Sequence, residues 1–237
     1  MKTYKNPSGE SVSRQAIEAI NLLLAKHKKY PILFHYSGGS SLQLLNGIEA
    51  QNINYNITFV PLDERFSRDK TINNYSIMTG MPFYTTALAQ ECRFINTYPT
   101  ASDTLEDFAS RYALEITNWR KQNPLGITLV LFGIGEDGHV CGIMPYPENK
   151  EYFHETFNNN EVMVVGYDAG DKSSYPLRVT PTLPYFRKYL KAGIAYAAGK
   201  NKQEAISRVL TPEGKLEHTP ARLLREFQDV ELFTDVA

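Results

Sequence analysis

The sequence predicts an α/β fold, a mostly parallel sheet flanked by helices on both faces in a Rossmann-like arrangement. Three observations predict it. Short β-branched and aromatic runs alternate along the chain with stretches of helical periodicity, the pattern of βα units. Several of the strand-like runs end in glycine and polar clusters, which belong at the ligand-binding edge of a parallel sheet. Hydrophobic residues make up 42% of the 237-residue chain and charged ones 22%, enough apolar surface for a sizeable core. The length suits one domain over residues 1–237, with no internal repeat, low-complexity tract or convincing linker.

Taken in order, Val12 to Lys26 carries apolar residues at helical spacing (Val12, Ala16, Ile17, Ile20, Leu23, Leu24). Pro31 to Tyr36 reads as a strand, followed by Ser37-Gly38-Gly39-Ser40-Ser41 and a short helix from Leu42 to Ile48. Ile57 to Leu62 reads as a second strand, ending in Asp63-Glu64-Arg65; Ser67 to Tyr98 reads as an irregular segment with short helices. Thr104 to Lys121 predicts an amphipathic helix with Leu105, Phe108, Tyr112, Ile116 and Trp119 on one stripe. Ile127 to Ile134 predicts the third strand, and Val162 to Gly166 and Leu177 to Val179 predict short ones. A strand over Ile194 to Ala198 precedes Gly199-Lys200-Asn201-Lys202, which opens a helix from Gln203 to Leu210. A last helix is expected from Ala221 to Phe227, behind Pro220.

Composition excludes several function classes. Formal net charge is −1, and no lysine-arginine run suggests a nucleic-acid surface. No run of about 18 apolar residues marks a membrane span, and the first residues, MKTYKNPSGESVSRQ, lack a signal core. The two cysteines, Cys92 and Cys141, form no CxxC pair and no disulfide framework, which points to a reducing cytoplasm. Cys141 lies two residues from His139, but a small buried thiol is the better reading than a catalytic or metal-binding pair.

The chemistry concentrates in Leu129 to Pro145, LVLFGIGEDGHVCGIMP, where an apolar run ends in a glycine-rich turn holding Asp137 and His139. A histidine at a strand end can exchange protons near neutral pH. Gly133, Gly135 and Gly138 also spell G-x-G-x-x-G, but Gly142, Pro145 and Pro147 interrupt the long helix that dinucleotide binding requires. Ser37-Gly38-Gly39-Ser40 before a helix is a natural phosphate cradle, with backbone N–H groups, hydroxyls and a helix N-terminus. It is neither a P-loop nor a nucleophile elbow, because neither spacing occurs. Arg65 and Lys202 are candidates for the positive charge that a phosphate dianion needs. In a parallel sheet these strand ends share one edge, so the clusters are expected to converge.

Ser37-Gly38-Gly39-Ser40, Asp63-Glu64-Arg65 with Asn74, and Gly133 to His139 with Pro145 resemble the motifs of the 6-phosphogluconolactonase family, within the wider group of sugar-phosphate isomerases and lactonases. Leu177-Arg178-Val179-Thr180, Gly199 to Ala205 and Thr219-Pro220-Ala221 resemble its later segments in the expected order. The resemblance implies hydrolysis of 6-phospho-D-glucono-1,5-lactone to 6-phosphogluconate, in the pentose phosphate pathway. On that reading His139 is the general base, Asp137 orients or charge-stabilises it, and Gly138 between them leaves direct contact open. Ser37, Gly38, Gly39, Ser40, Arg65 and Lys202 bind phosphate, Asp63 binds sugar hydroxyls, and Asn74 and Arg178 complete the substrate site. No metal or organic cofactor is implied; the partner is a sugar phosphate, and a monomer or weak homodimer is expected. The related glucosamine-6-phosphate deaminases usually have tyrosine at Arg65 and glutamate at Met144, so both positions favour the lactonase. Three features depart from the lactonase pattern: Leu42 in place of a proline, no histidine in Phe66 to Asn74, and Gly142-Ile143-Met144 in place of serine-leucine-phenylalanine. A deaminase or isomerase, or a sugar-phosphate-sensing domain that needs no His139, is the alternative.

Overall fold

In the computed structural model, which describes residues 1–236, parallel strands form one seven-stranded sheet and helices cover both of its faces. Its strands are β1 (Lys2–Lys5), β2 (Ile32–Tyr36), β3 (Ile57–Pro61), β5 (Arg93–Phe94), β6 (Ile127–Gly133), β9 (Leu190–Ala197) and β10 (Val230–Thr234). They lie in the order β1-β10-β9-β6-β2-β3-β5, and every neighbouring pair is parallel. The helices are α1 (Gly9–His27), α2 (Asn74–Thr79), α3 (Pro82–Ala89), α4 (Leu105–Gln122), α5 (Lys150–Phe157), α6 (Leu183–Tyr189) and α7 (Gln203–Leu210).

Burial on both faces explains why the central strands are apolar throughout. Alternate residues serve opposite cores, as a strand's period of two requires. Phe34, Phe59, Leu129 and Leu131 pack with Ile20 and Leu24 of α1, whereas Leu33, Val60, Val130 and Phe132 pack with Phe108, Tyr112 and Ile116 of α4. Thr104 caps α4 and forms a reciprocal capping box with Asp107, which explains why the predicted start there holds to within a residue.

The differences from expectation have local causes. The helix expected from Leu42 to Ile48 is a 3-10 helix over Gly39–Gly47, and the one expected from Ala221 to Phe227 is a 3-10 helix over Pro220–Glu226, so neither is an α-helix. Ser67 to Tyr98 holds α2, α3 and the two-residue β5. Of the predicted short strands, the first shifts by two residues to β7 (Val164–Asp168) and the second lengthens to β8 (Leu177–Pro181), but both leave the main sheet. With β4 (Glu64–Arg65) they form a separate antiparallel sheet in the order β4-β8-β7. The edge strand β1, its neighbour β10 and the helices α5 and α6 were not expected; β1, KTYK, is largely exposed and lacks the apolar signature of a core strand.

Strand order places the site. From β2 the chain winds to β3 and β5 on one side, and from β6 to β9 and β10 on the other. The turns after β2 and β6 therefore flank the crevice where strand order reverses, the usual place for a ligand in an open α/β sheet.

Candidate active site

Ten of the eleven residues assigned from sequence line one open cleft: Ser37, Gly38, Gly39, Ser40, Asp63, Arg65, Asn74, His139, Arg178 and Lys202. Asp137 does not line it. Its Oδ1 lies 2.7 Å from His139 Nδ1 and 3.0 Å from the His139 backbone N–H, so the contact that Gly138 left open is made. A carboxylate only accepts, so Nδ1 carries the proton and Nε2 is left with a free lone pair. Burial alone would raise the Asp137 carboxyl, but the bonds from His139 outweigh it and hold the group down at about 2. Asp137 therefore stays ionised wherever the imidazole is neutral.

Glycines in the turn make this geometry accessible. A methyl group on Gly135 would stand 2.0 Å from His139 Nδ1, so only glycine lets the dyad fold back against the strand end. Gly138 has a φ of +90°, a conformation that side chains disfavour.

Across the cleft, the phosphate-cradle turn leaves β2 in an extended conformation at Gly38 and enters the 3-10 helix at Gly39. Asn74 donates from Nδ2 to the Asp63 carbonyl at 2.9 Å, and its Oδ1, without a partner, faces Gly38. Asp63 and Arg178 are both buried and paired at 3.0 Å. Arg178 also donates to Ser173 Oγ at 3.0 Å, so part of its fork is already engaged. Arg65 donates to the Ile72 carbonyl at 3.2 Å and lies under the Tyr175 ring, 4.6 Å from its centroid. Lys202 enters from the turn before α7. A cation from each of three separate segments thus reaches one cleft, which suits an anionic ligand.

Sequence reasoning missed Ser41, Cys141 and Gly142 as cleft-lining residues. Cys141 is buried, has a φ of +56°, and burial pushes its thiol well above the ordinary range. It is an inert thiol, in agreement with the reading of a small buried cysteine. Gly142 faces Asp63, whose Oδ2 would lie 2.4 Å from an added Cβ. Also missed was Glu64, fully buried, which accepts from the backbone N–H groups of Arg65 (2.8 Å), Asn74 (2.6 Å) and Tyr75 (3.0 Å) and from the Thr97 hydroxyl (2.8 Å). Burial pushes its carboxyl up to about 8 against the pull of those four donors. Met144 is buried in the core and does not line the cleft. Among the described residues, no group of three or more His, Cys, Asp or Glu gathers in a way that would hold a metal ion. No helix among them is long and apolar enough to cross a membrane.

The family profile described as glucosamine-6-phosphate isomerases/6-phosphogluconolactonase matches residues 7–233. A 6-phosphogluconolactonase of Synechocystis is 26% identical over 137 residues, 55% of this chain and 51% of that protein. A probable 6-phosphogluconolactonase of Drosophila melanogaster is 30% identical over 188 residues, 76% of this chain and 68% of that protein. The matched stretch thus spans about half of the first relative's length and two thirds of the second's. Among solved structures, the 6-phosphogluconolactonase of Trypanosoma brucei superposes with a TM-score of 0.74 at 19% identity, covering 98% of this chain and 95% of that one. A monomeric glucosamine-6-phosphate deaminase superposes with a TM-score of 0.71 at 20% identity, covering 99% and 97%. At those identities the likeness speaks to the fold, which both activities share.

Proposed function

The chain belongs to the glucosamine-6-phosphate isomerase/6-phosphogluconolactonase family, and we propose that it is a lactonase, hydrolysing 6-phospho-D-glucono-1,5-lactone to 6-phosphogluconate in the pentose phosphate pathway. The observation that carries this reading is the Asp137–His139 dyad opening on the same cleft as Arg65 and Lys202, while the nearby Met144 is apolar and buried. Lactone hydrolysis needs one proton acceptor that later donates. With Nδ1 held by Asp137, His139 Nε2 takes a proton from the attacking water as its oxygen bonds to the lactone carbonyl carbon. The resulting tetrahedral intermediate collapses, the ring C–O bond breaks, and the imidazolium returns the proton to the departing ring oxygen. Asp137 stabilises the imidazolium between those two steps. The phosphate, remote from the carbonyl, is assigned to the Ser37–Ser40 turn with Arg65 and Lys202; Asp63, Asn74 and Arg178 are assigned to the sugar.

The site draws on residues from 37 to 202, which supports the whole chain working as one domain. Cys92 and Cys141 are free and buried, a pattern that supports the cytoplasm as its location. A monomer or weak homodimer is the proposed state.

A deaminase must also open the sugar ring and move a proton between carbons, work for which Met144 has no titratable group. The test is a pair of assays. We expect lactone hydrolysis above the spontaneous rate, measured by coupling to 6-phosphogluconate dehydrogenase, and no ammonia from glucosamine-6-phosphate. Steady ammonia release that disappears in His139→Asn would instead make the chain a deaminase. Tight sugar-phosphate binding with neither activity would make it a sensing domain.

Lys202→Ala separates the phosphate role from general binding. It should weaken competitive inhibition by 6-phosphogluconate far more than inhibition by unphosphorylated gluconate. Equal losses for the two would remove Lys202 from phosphate recognition.

A further inference from the structure

The turn carrying Asp137 and His139 is held in shape by its own bonds, Gly138 N–H to the Gly135 carbonyl (3.1 Å) and Gly135 N–H to the His139 carbonyl (2.9 Å). Those bonds do not set its attitude toward the cleft; contacts from outside the turn do. Ala221 N–H donates to the Gly138 carbonyl at 2.9 Å. Asn201 Nδ2 donates to Glu136 Oε1 at 2.5 Å, between two exposed side chains. Arg208, on α7, donates from Nη2 to the Asp137 carbonyl at 2.8 Å.

Two of the three come from side chains, Asn201 and Arg208, and only Arg208 reaches the backbone of the turn. A guanidinium on a carbonyl makes a charge-assisted hydrogen bond with fixed fork geometry. Its other contact is an exposed i,i+4 pair with Glu204 at 3.2 Å, which contributes little. The helix behind it is itself anchored. Arg222 donates to the carbonyls of Arg208 (2.6 Å), Thr211 (2.8 Å) and Pro212 (2.9 Å), and Arg225 to those of Val209 (3.1 Å) and Leu210 (2.8 Å). The bonds to Arg208, Val209 and Leu210 satisfy the last carbonyls of α7, which its own turns leave open, and the other two hold the segment that follows it. Lys202 stands immediately before this helix, so one rigid element adjoins the cleft at its start and grips the His139 turn six residues later.

We propose that Arg208 is a positioning residue that fixes the Asp137–His139 turn to α7, the helix that Lys202 immediately precedes. This rests on His139 acting as the base in the lactonase reading above. Arg208 neither lines the cleft nor contacts the imidazole, so its effect passes through the Asp137 backbone. A displacement of the base by about 1 Å is enough to cost roughly 10²-fold in rate.

The experiment compares wild type, Arg208→Met, which keeps the aliphatic stem, and Arg208→Lys, which keeps the charge. Measured for each are kcat, KM, the Kd for 6-phosphogluconate by calorimetry, Tm, and the ring nitrogen shifts of His139 by NMR, assigned with His139→Asn. Arg208→Met is expected to lower kcat about 10- to 100-fold, with KM and Kd within about threefold, and to move the His139 ring nitrogens toward a tautomer mixture. Arg208→Lys should recover part of kcat and of the shifts. Wild-type kcat in Arg208→Met overturns the proposal. So does a loss shared equally by kcat, Kd and Tm, which is the signature of a structural role alone. If wild type itself opens no lactone, the lactonase reading fails and the NMR comparison decides alone: unchanged His139 shifts in Arg208→Met overturn the positioning role.

Discussion

Replacing His139 with asparagine is expected to lower kcat for lactone hydrolysis by about 10²–10⁴-fold, the usual contribution of a positioned acid/base group. Affinity for 6-phosphogluconate should stay within a few-fold, because the proposed phosphate and sugar contacts lie on other segments. Asparagine can still donate an N–H toward Asp137 Oδ1, as Nδ1 does at 2.7 Å, so the turn should keep its shape. What is lost is the second nitrogen, Nε2, and with it the proton shuttle. The effect should therefore fall on kcat and leave Tm nearly unchanged, since the pair is partly exposed at 32% and 42% and exposed pairs contribute little to stability. Near wild-type turnover in His139→Asn would assign the base elsewhere in the cleft.

The parallel sheet was legible because its central strands carry the signature of two-sided burial. Ile32 to Tyr36 and Leu129 to Phe132 are buried at every position, and such runs stand out from amphipathic helices like α1 and α4. The edges and the small sheet were not legible. A two-residue strand such as β4 or β5 has no periodicity to read. β7 and β8 are stabilised by each other and by α4, with β8 also pairing β4, so their register depends on tertiary contacts that no local pattern states. The 3-10 geometry of Gly39–Gly47 was likewise hidden, since a run of serine, leucine and glutamine is compatible with either helix type.

The candidate cleft was legible as a convergence of strand ends. Most of the candidate residues sit at or just after strand ends, where chain geometry brings them to one edge. What sequence did not convey was which of them are already engaged. Asp63 and Arg178 read as independent ligand contacts, yet they are 115 residues apart in sequence and form a buried pair. Supporting residues were the least visible. Arg208 looks like any solvent-facing helical arginine, and Glu64 looks like a surface acid between two candidate site residues, because charged residues are seldom fully buried.

Glu64 carries the second large expected effect, on stability and site together. It is fully buried, and its two oxygens receive four donors from Arg65, Asn74, Tyr75 and Thr97. It thereby joins the end of β4, the start of α2 and the strand-end segment after β5, and two of those donors belong to proposed substrate residues. Glu64→Ala leaves three backbone N–H groups without an acceptor at about 1–3 kcal/mol each if they stay buried, enough to remove much of a domain's typical 5–15 kcal/mol. Glu64→Gln is the finer probe. It keeps the shape and one oxygen, but replaces the acid's hydroxyl oxygen, which donates and still has a lone pair to accept with, by an amide nitrogen that has none. Glu64→Gln should therefore lower Tm clearly and raise KM more than it lowers kcat, because Arg65 and Asn74 lose their common anchor while His139 does not. The pH dependence has a definite sign. Burial raises this carboxyl from 4.5 to about 8, so the fold favours its acid form more than the unfolded chain does. The stability this contributes is complete below about 4.5 and is lost as pH rises through about 8. Glutamine does not titrate, so unfolding measured between pH 5 and 9 should show an alkaline decline in wild type that is smaller in Glu64→Gln. Identical pH profiles, or a Glu64→Gln variant with wild-type Tm and KM, would show that the four donors find other partners and that Glu64 does not organise the site.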